Sequence, residues 1–225
     1  MDVPAGPEPP AAAEHVLVRV WLPDRPGALG LVASRVGAVG GDIVGIDVLE
    51  RGEEVAVDEF AVVLPGLDLV ELLVHEIEEV DGASVEEVRV VTAFPDPRLD
   101  ALESAAALCE ARSVAALHLL LVEQLRREFL AGWAALLDAG RVAAVDGDGH
   151  PTEELLGALA AGTAASPLVA AGTTGPDDLA VAPLVGHDAT LLVGRDGHPF
   201  RRRERAQLRA LARVAGRAWT LLDDA

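Results

Sequence analysis

Residues 16–49 constrain the fold more than any other stretch. An apolar run, Val16, Leu17, Val18, Arg19, Val20, Trp21 and Leu22, gives way to Pro23, Asp24, Arg25, Pro26, Gly27, Ala28 and Leu29. Leu29, Val32, Val36 and Val39 then recur at helical spacing. Gly40 and Gly41 stop that helix, because only glycine turns left-handed without penalty. Residues 42–49 resume as a strand. Pro26 suits the first turn of a helix, where a missing N–H costs nothing. Gly27 has no Cβ, so backbone or a ligand can come close. The amides that open a helix lack internal acceptors and form a natural seat for a carboxylate. A plain strand–turn–helix is the other reading of the same residues.

The pattern continues to about residue 93. Arg51, Gly52, Glu53 and Glu54 read as a hairpin turn. Residues 55–64 read as a third strand with Ala56, Phe60, Val62 and Leu64 on one face, interrupted by Asp58. Pro65 and Gly66 end it. Asp68 is placed to cap a second helix whose buried stripe is Leu69, Leu72, Leu73, Ile77 and Val80. Asp81 and Gly82 turn the chain into a last strand, 83–91. The order β-α-β-β-α-β is the ferredoxin-like pattern.

That order, together with Asp24, Pro26, Gly27, Leu29, the Gly40–Gly41 pair, Ile43 and Ile46, resembles the ACT domain family of small-ligand regulatory modules. The resemblance implies a homodimer that holds an amino acid at the pairing interface. It implies contacts from Asp24, Arg25, Pro26, Gly27, Ala28 and Leu29 on one side, with Asp42 and Ile43 contributing from the other. Where the family often has an asparagine, this chain has Asp42. An ionised carboxylate donates no hydrogen bond, repels a ligand carboxylate and attracts an amino group. Capping the turn after Gly41 is the other role open to it.

Charge narrows the partners. A formal charge of -19 repels a phosphate backbone and argues against nucleic acid. The hydrophobic share is 51% with only 3% aromatics, so cores must be built from Val, Leu and Ala. The single cysteine, Cys109, excludes an internal disulfide framework and reads as a small buried hydrophobe. Residues 1–14 are acidic and Pro/Ala-rich and read as a disordered leader rather than a signal peptide. Charges interrupt every apolar run before it reaches membrane-spanning length. The expected location is cytoplasmic.

Phe94, Pro95, Asp96 and Pro97 read as a linker, since closely spaced prolines disfavour helix. A second domain, 98–225, opens with a helical stripe of Leu102, Ala105, Ala106 and Cys109, continued by Val114, Leu117, Leu120, Leu121 and Leu125 after a break near Arg112 and Ser113. A hairpin across Asp138, Ala139 and Gly140 follows. Thr152 reads as the cap of a helix burying Leu155, Leu156 and Leu159. A short strand is expected over 167–171, a hairpin across Gly186, His187 and Asp188, and a closing helix over 201–222. This α+β layering ends in a way that resembles a GAF domain, through residues 179–184 and 191–195, Phe200 and the long last helix. The fold expectation is therefore α+β: a ferredoxin-like ACT domain over 15–93, then a GAF-like α/β domain.

Catalytic and metal signatures are absent from the sequence. The run Asp146, Gly147, Asp148, Gly149, His150 lacks the spacing of a calcium loop, and position 157 is Gly157 instead of a chelating glutamate. No two of the six histidines pair at metal-ligand spacing. His75 and His118 are placed on helices, at a surface or core edge. Arg205, Arg209, Arg213 and Arg217 recur every four residues and read as a solvated helix face or a docking stripe for acidic surface. The functional expectation is a non-enzymatic sensor without cofactor, metal or catalytic residues. It binds a small metabolite, an amino acid, and relays that event through the GAF-like domain. The alternative is a regulatory or scaffold subunit of a separate enzyme, with no ligand of its own.

Overall fold

The structure, a computed structural model, describes residues 13–166 and 176–224. The chain divides into two compact units, Met1–Phe94 and Pro95–Ala225. The strand expected over 167–171 lies outside the described residues, as does all but the end of the expected leader. Glu14 already belongs to the first strand.

In the first unit the elements run β1 (Glu14–Pro23), α1 (Ala28–Ala38), β2 (Asp42–Arg51), β3 (Val55–Leu64), a 3-10 turn (Leu67–Leu69), α2 (Val70–Glu78) and β4 (Ser84–Val91). The sheet order is β2-β3-β1-β4, antiparallel throughout, which is the ferredoxin-like arrangement. β1 is a central strand, hydrogen-bonded on both edges. Val16, Val18, Val20 and Leu22 join Phe60, Val62, Leu64, Val32, Val36, Leu73 and Ile77 in one core. The other face of β1 carries Leu17 and Arg19, both also buried, which is why the strand reads as a continuous apolar run rather than an alternation. Arg19 answers its register partner Glu59 at 2.9 Å, and Glu59 takes a second bond of the same length from Arg89. Opposite charges facing across strands pair with the buried guanidinium.

Several local expectations change. Pro26 precedes α1 instead of entering it, and Gly27 is the N-cap. Asp68 sits inside the 3-10 turn and does not cap α2. Leu72 is exposed, so the α2 stripe reduces to Leu73, Ile77 and Val80 with Leu69 at its edge.

The second unit contains α3 (Pro97–Glu110), α4 (Val114–Glu128), β5 (Trp133–Asp138), β6 (Arg141–Asp146), α5 (Glu153–Ala164), β7 (Leu179–Leu184), β8 (Ala189–Gly194) and α6 (Arg202–Asp223). Its antiparallel sheet has the order β6-β5-β8-β7. Ala134, Leu136, Ala180, Ala182, Leu191 and Val193 face a core with α3, α4 and α6; Ala135, Leu137, Val181 and Leu192 face a second core with Leu156 of α5. The alternation of the strands thus serves two apolar layers, with helices on both faces of one antiparallel sheet. Pro97 is the first residue of α3, and Asp96 caps it by accepting from the amides of Arg98 and Leu99, both at 3.1 Å. Proline at that position removes an amide that had no helical partner.

The α3 stripe is rotated from its expected phase: Ser104 and Leu108 are buried, while Leu102, Ala106 and Cys109 are exposed. Leu155 is likewise exposed. His118 is buried and meets Trp219 edge-on at 4.2 Å. The expected arginine stripe is split. Arg213 and Arg217 are exposed, but Arg205 is only 7% exposed. Its guanidinium donates to the carbonyls of Phe200, Leu179 and Pro176 at 3.2, 2.8 and 2.6 Å. It therefore ties α6 to the start of β7. Arg205→Ala should destabilise the chain by about 2–4 kcal/mol, because it strands buried carbonyls. Arg213→Ala should stay within about 0.5 kcal/mol. Urea melts followed by tryptophan fluorescence compare the two.

Candidate functional site

β1 stops at Pro23, and the next residues form a tight corner. The Asp24 amide donates to the Glu54 carbonyl at 2.8 Å, and the Arg25 amide to the Pro23 carbonyl at 2.8 Å. Gly27 adopts φ 90°, and its carbonyl accepts the first helical bond, from the Leu31 amide at 3.1 Å. A Cβ added to Gly27 would meet nothing within 4 Å. Glycine is needed there for its left-handed backbone, not for close approach.

Antiparallel pairing decides what surrounds this corner. Pro23 is opposite Val55, and Arg51 is opposite Ala56, so the end of β2 and the start of β3 lie beside the loop. The Asp24 carboxylate accepts two bonds from Arg51, at 2.6 and 3.2 Å. The Arg51 hydrogen bond holds the Asp24 carboxyl below the usual carboxylate range. Between these pieces lies a cavity of about 440 Å³, within the range of small-molecule sites. All six expected loop residues, Asp24, Arg25, Pro26, Gly27, Ala28 and Leu29, line it, together with Leu22, Pro23, Val48, Arg51, Ala56 and Asp58. Asp42 and Ile43 do not. They pair with Val63 and Val62 at the opposite end of β2, so within one chain they are not brought to the loop.

Two charged residues of the cavity were not expected as site residues. Arg51 read as part of a turn, yet it ends β2 and anchors Asp24. Asp58 read only as an interruption of an apolar face. It is 3% exposed, and its Oδ1 has no hydrogen-bond partner among the described residues. Burial pushes its carboxyl above the ordinary value; the Arg51 charge opposes that rise and the Asp24 charge adds to it. An acid on the strand's otherwise apolar inward face, with Ala56, Phe60, Val62 and Leu64, was the available signal, since a buried charge requires a partner.

Among the described residues no group of three or more His, Cys, Asp or Glu side chains is placed to hold a metal ion. No helix there is long and apolar enough to cross a membrane.

The raised carboxyl of Asp58 has a consequence for stability. When a folded-state acid titrates above its unfolded value, the destabilisation is absent below the unfolded pKa. It develops as pH rises through the interval between the two values, and is complete above the folded one. Asp58→Asn should therefore cost least, or stabilise the protein, near neutral pH. Relative to the natural protein, the variant should fare worse as the pH falls below the ordinary carboxylate range. Thermal melts across pH give the comparison.

No family model matches this chain, and no curated protein matches it. Among solved structures, it is similar to the ACT domain from the GTP pyrophosphokinase of Chlorobium tepidum, at 12% identity over 36% of this chain and 90% of that one, with a TM-score of 0.29. It is also similar to a bacteriophytochrome from the photosynthetic bacterium R. palustris, at 10% identity over 78% of this chain and 42% of that one, with a TM-score of 0.39. Neither likeness is close enough to transfer a function, and the fold rests on the strand order and register described above.

Proposed function

We propose that the chain is a non-enzymatic regulatory sensor whose first unit binds a small metabolite, an amino acid, in the cavity behind the Asp24–Leu29 corner. The observation that carries this reading is the cavity itself. It is apolar over most of its wall, opens at a helix start, and holds charged groups of both signs. That combination suits a zwitterion with a hydrocarbon body.

In this reading the protein is a homodimer. A second copy brings its Asp42 and Ile43 to the loop, which one chain alone does not do. Ligand held across the seam favours one dimer geometry over another, and its difference in affinity for the two sets the size of the response. The GAF-like unit reads out that geometry.

Calorimetric titration of the full chain with the protein amino acids tests the proposal, alongside its mass in solution. At least one amino acid should bind with a Kd of about 1 mM or tighter, which corresponds to about -4 kcal/mol, and the chain should be dimeric. Absence of heat from every amino acid at millimolar concentration, with a monomeric chain, overturns it.

A further inference from the structure

Asp58 stands where a charge is hardest to keep. It lies on β3 between Val20 of β1 and Val48 of β2, on the same side of the strand as Ala56, Phe60 and Val62. Val20, Ala56, Phe60 and Val62 are buried, Phe60 and Val62 belong to the apolar core, and Val48 is partly open to solvent. A carboxylate there loses most of its hydration, and such groups persist in folded proteins when something pairs with them. The nearby cation is Arg51, but that guanidinium is engaged by both oxygens of Asp24. Asp58 Oδ1 is left without a hydrogen bond among the described residues, and the residue lines the cavity.

The rest of the wall limits what can supply the missing partner. Leu22, Pro26, Ala28, Leu29, Val48 and Ala56 make the apolar part of the cavity wall. An ionised carboxylate only accepts hydrogen bonds, so its complement is a donor carrying positive charge. At the rim, Gly27 and Ala28 begin α1, an 11-residue helix whose positive end faces an anion favourably. The exposed Arg25 stands beside it. The cavity is thus polarised, acidic at its buried end and basic at its mouth.

We infer that Asp58 is the ammonium receptor of this cavity, and that the ligand is an aliphatic α-amino acid bound with its ammonium on Asp58 and its carboxylate at the start of α1. This rests on the reading of the corner as an amino-acid site and adds the residue that takes the ammonium and the ligand's orientation. The two oxygens of a carboxylate exchange by a turn about the Cβ–Cγ bond, so either can meet the ammonium. Asp24 positions the corner through Arg51 and does not itself take the ammonium.

The test uses the full chain and six probes in calorimetry: L-valine and L-leucine, their decarboxylated amines isobutylamine and isopentylamine, and their des-amino acids 3-methylbutanoate and 4-methylpentanoate. Valine or leucine should bind. The matching amine should bind more weakly but measurably, and the matching acid should bind at least about tenfold more weakly than the amino acid, a difference of about 1.4 kcal/mol. Asp58→Asn should weaken the amino acid by at least about tenfold while still giving a folded protein in a thermal melt, which separates lost recognition from lost fold.

Equal affinity of Asp58→Asn and the natural protein for the amino acid, or acids binding as tightly as amino acids, overturns the inference and leaves the sensor reading in place. Should Asp58→Asn not fold, the amine-against-acid comparison on the natural chain decides alone. No heat from any of the six probes overturns the inference, and the wider amino-acid panel then decides whether the sensor reading falls with it.

Discussion

The antiparallel pairing of β1 with β3 is the constraint from which the first unit follows. Once Val16, Val18, Val20 and Leu22 face the helices, register fixes what stands across from each of them. A slip of one residue would turn that whole set to the opposite face and bring Arg19 into the core. Arg19 pairs with Glu59 on the far side of the sheet, so charge and hydrophobicity specify the same register. That register also delivers Pro23 to the start of β3, and with it the corner, the end of β2 and Asp58. The cavity is therefore a product of strand pairing and is not an independent loop feature.

The topology was legible because its signals were strong and local. An apolar run, a glycine pair and strands separated by short turns leave few ways to close a sheet. What failed to read correctly was rotational phase on helices rich in alanine. In α3, with Ala101, Ala105, Ala106 and Ala107 distributed around the axis, hydrophobicity barely distinguishes one face from another, and the buried face proved to be that of Ser104 and Leu108. Leu72 and Leu155 were misassigned for a related reason. Leucines occur at adjacent positions in both helices, and spacing alone does not say which member of Leu72–Leu73 or Leu155–Leu156 turns inward.

The spacing of the arginines on the last helix does not show which of them turns inward. The four-residue repeat of Arg205, Arg209, Arg213 and Arg217 suggests one continuous stripe, yet its first member turns in to satisfy backbone carbonyls. Arg195 does similar work, donating to the Phe129 carbonyl at 2.9 Å and lying 4.1 Å over the Phe200 ring. Arginine suits such positions because its planar fork reaches several acceptors at once and stacks on aromatic faces. Each of the two can be recognised only after the chain has folded, since it also answers carbonyls remote in sequence, Phe129 for Arg195 and Leu179 and Pro176 for Arg205.

Asp58 is the opposite case, a charge whose satisfaction the fold does not complete. Asp24 and Asp58 both line the cavity, and the charge of Arg51 acts on both. Its guanidinium is committed to Asp24, the more exposed of the two. Were stability the only requirement, an apolar side chain at position 58 would continue the face set by Ala56 and Phe60 without cost. Two acids near one base, with the buried acid left over, leave the closed end of the cavity short of one positive charge. A guest that brings its own ammonium removes that deficit on entry, and its removal is a source of affinity that an uncharged or anionic guest lacks.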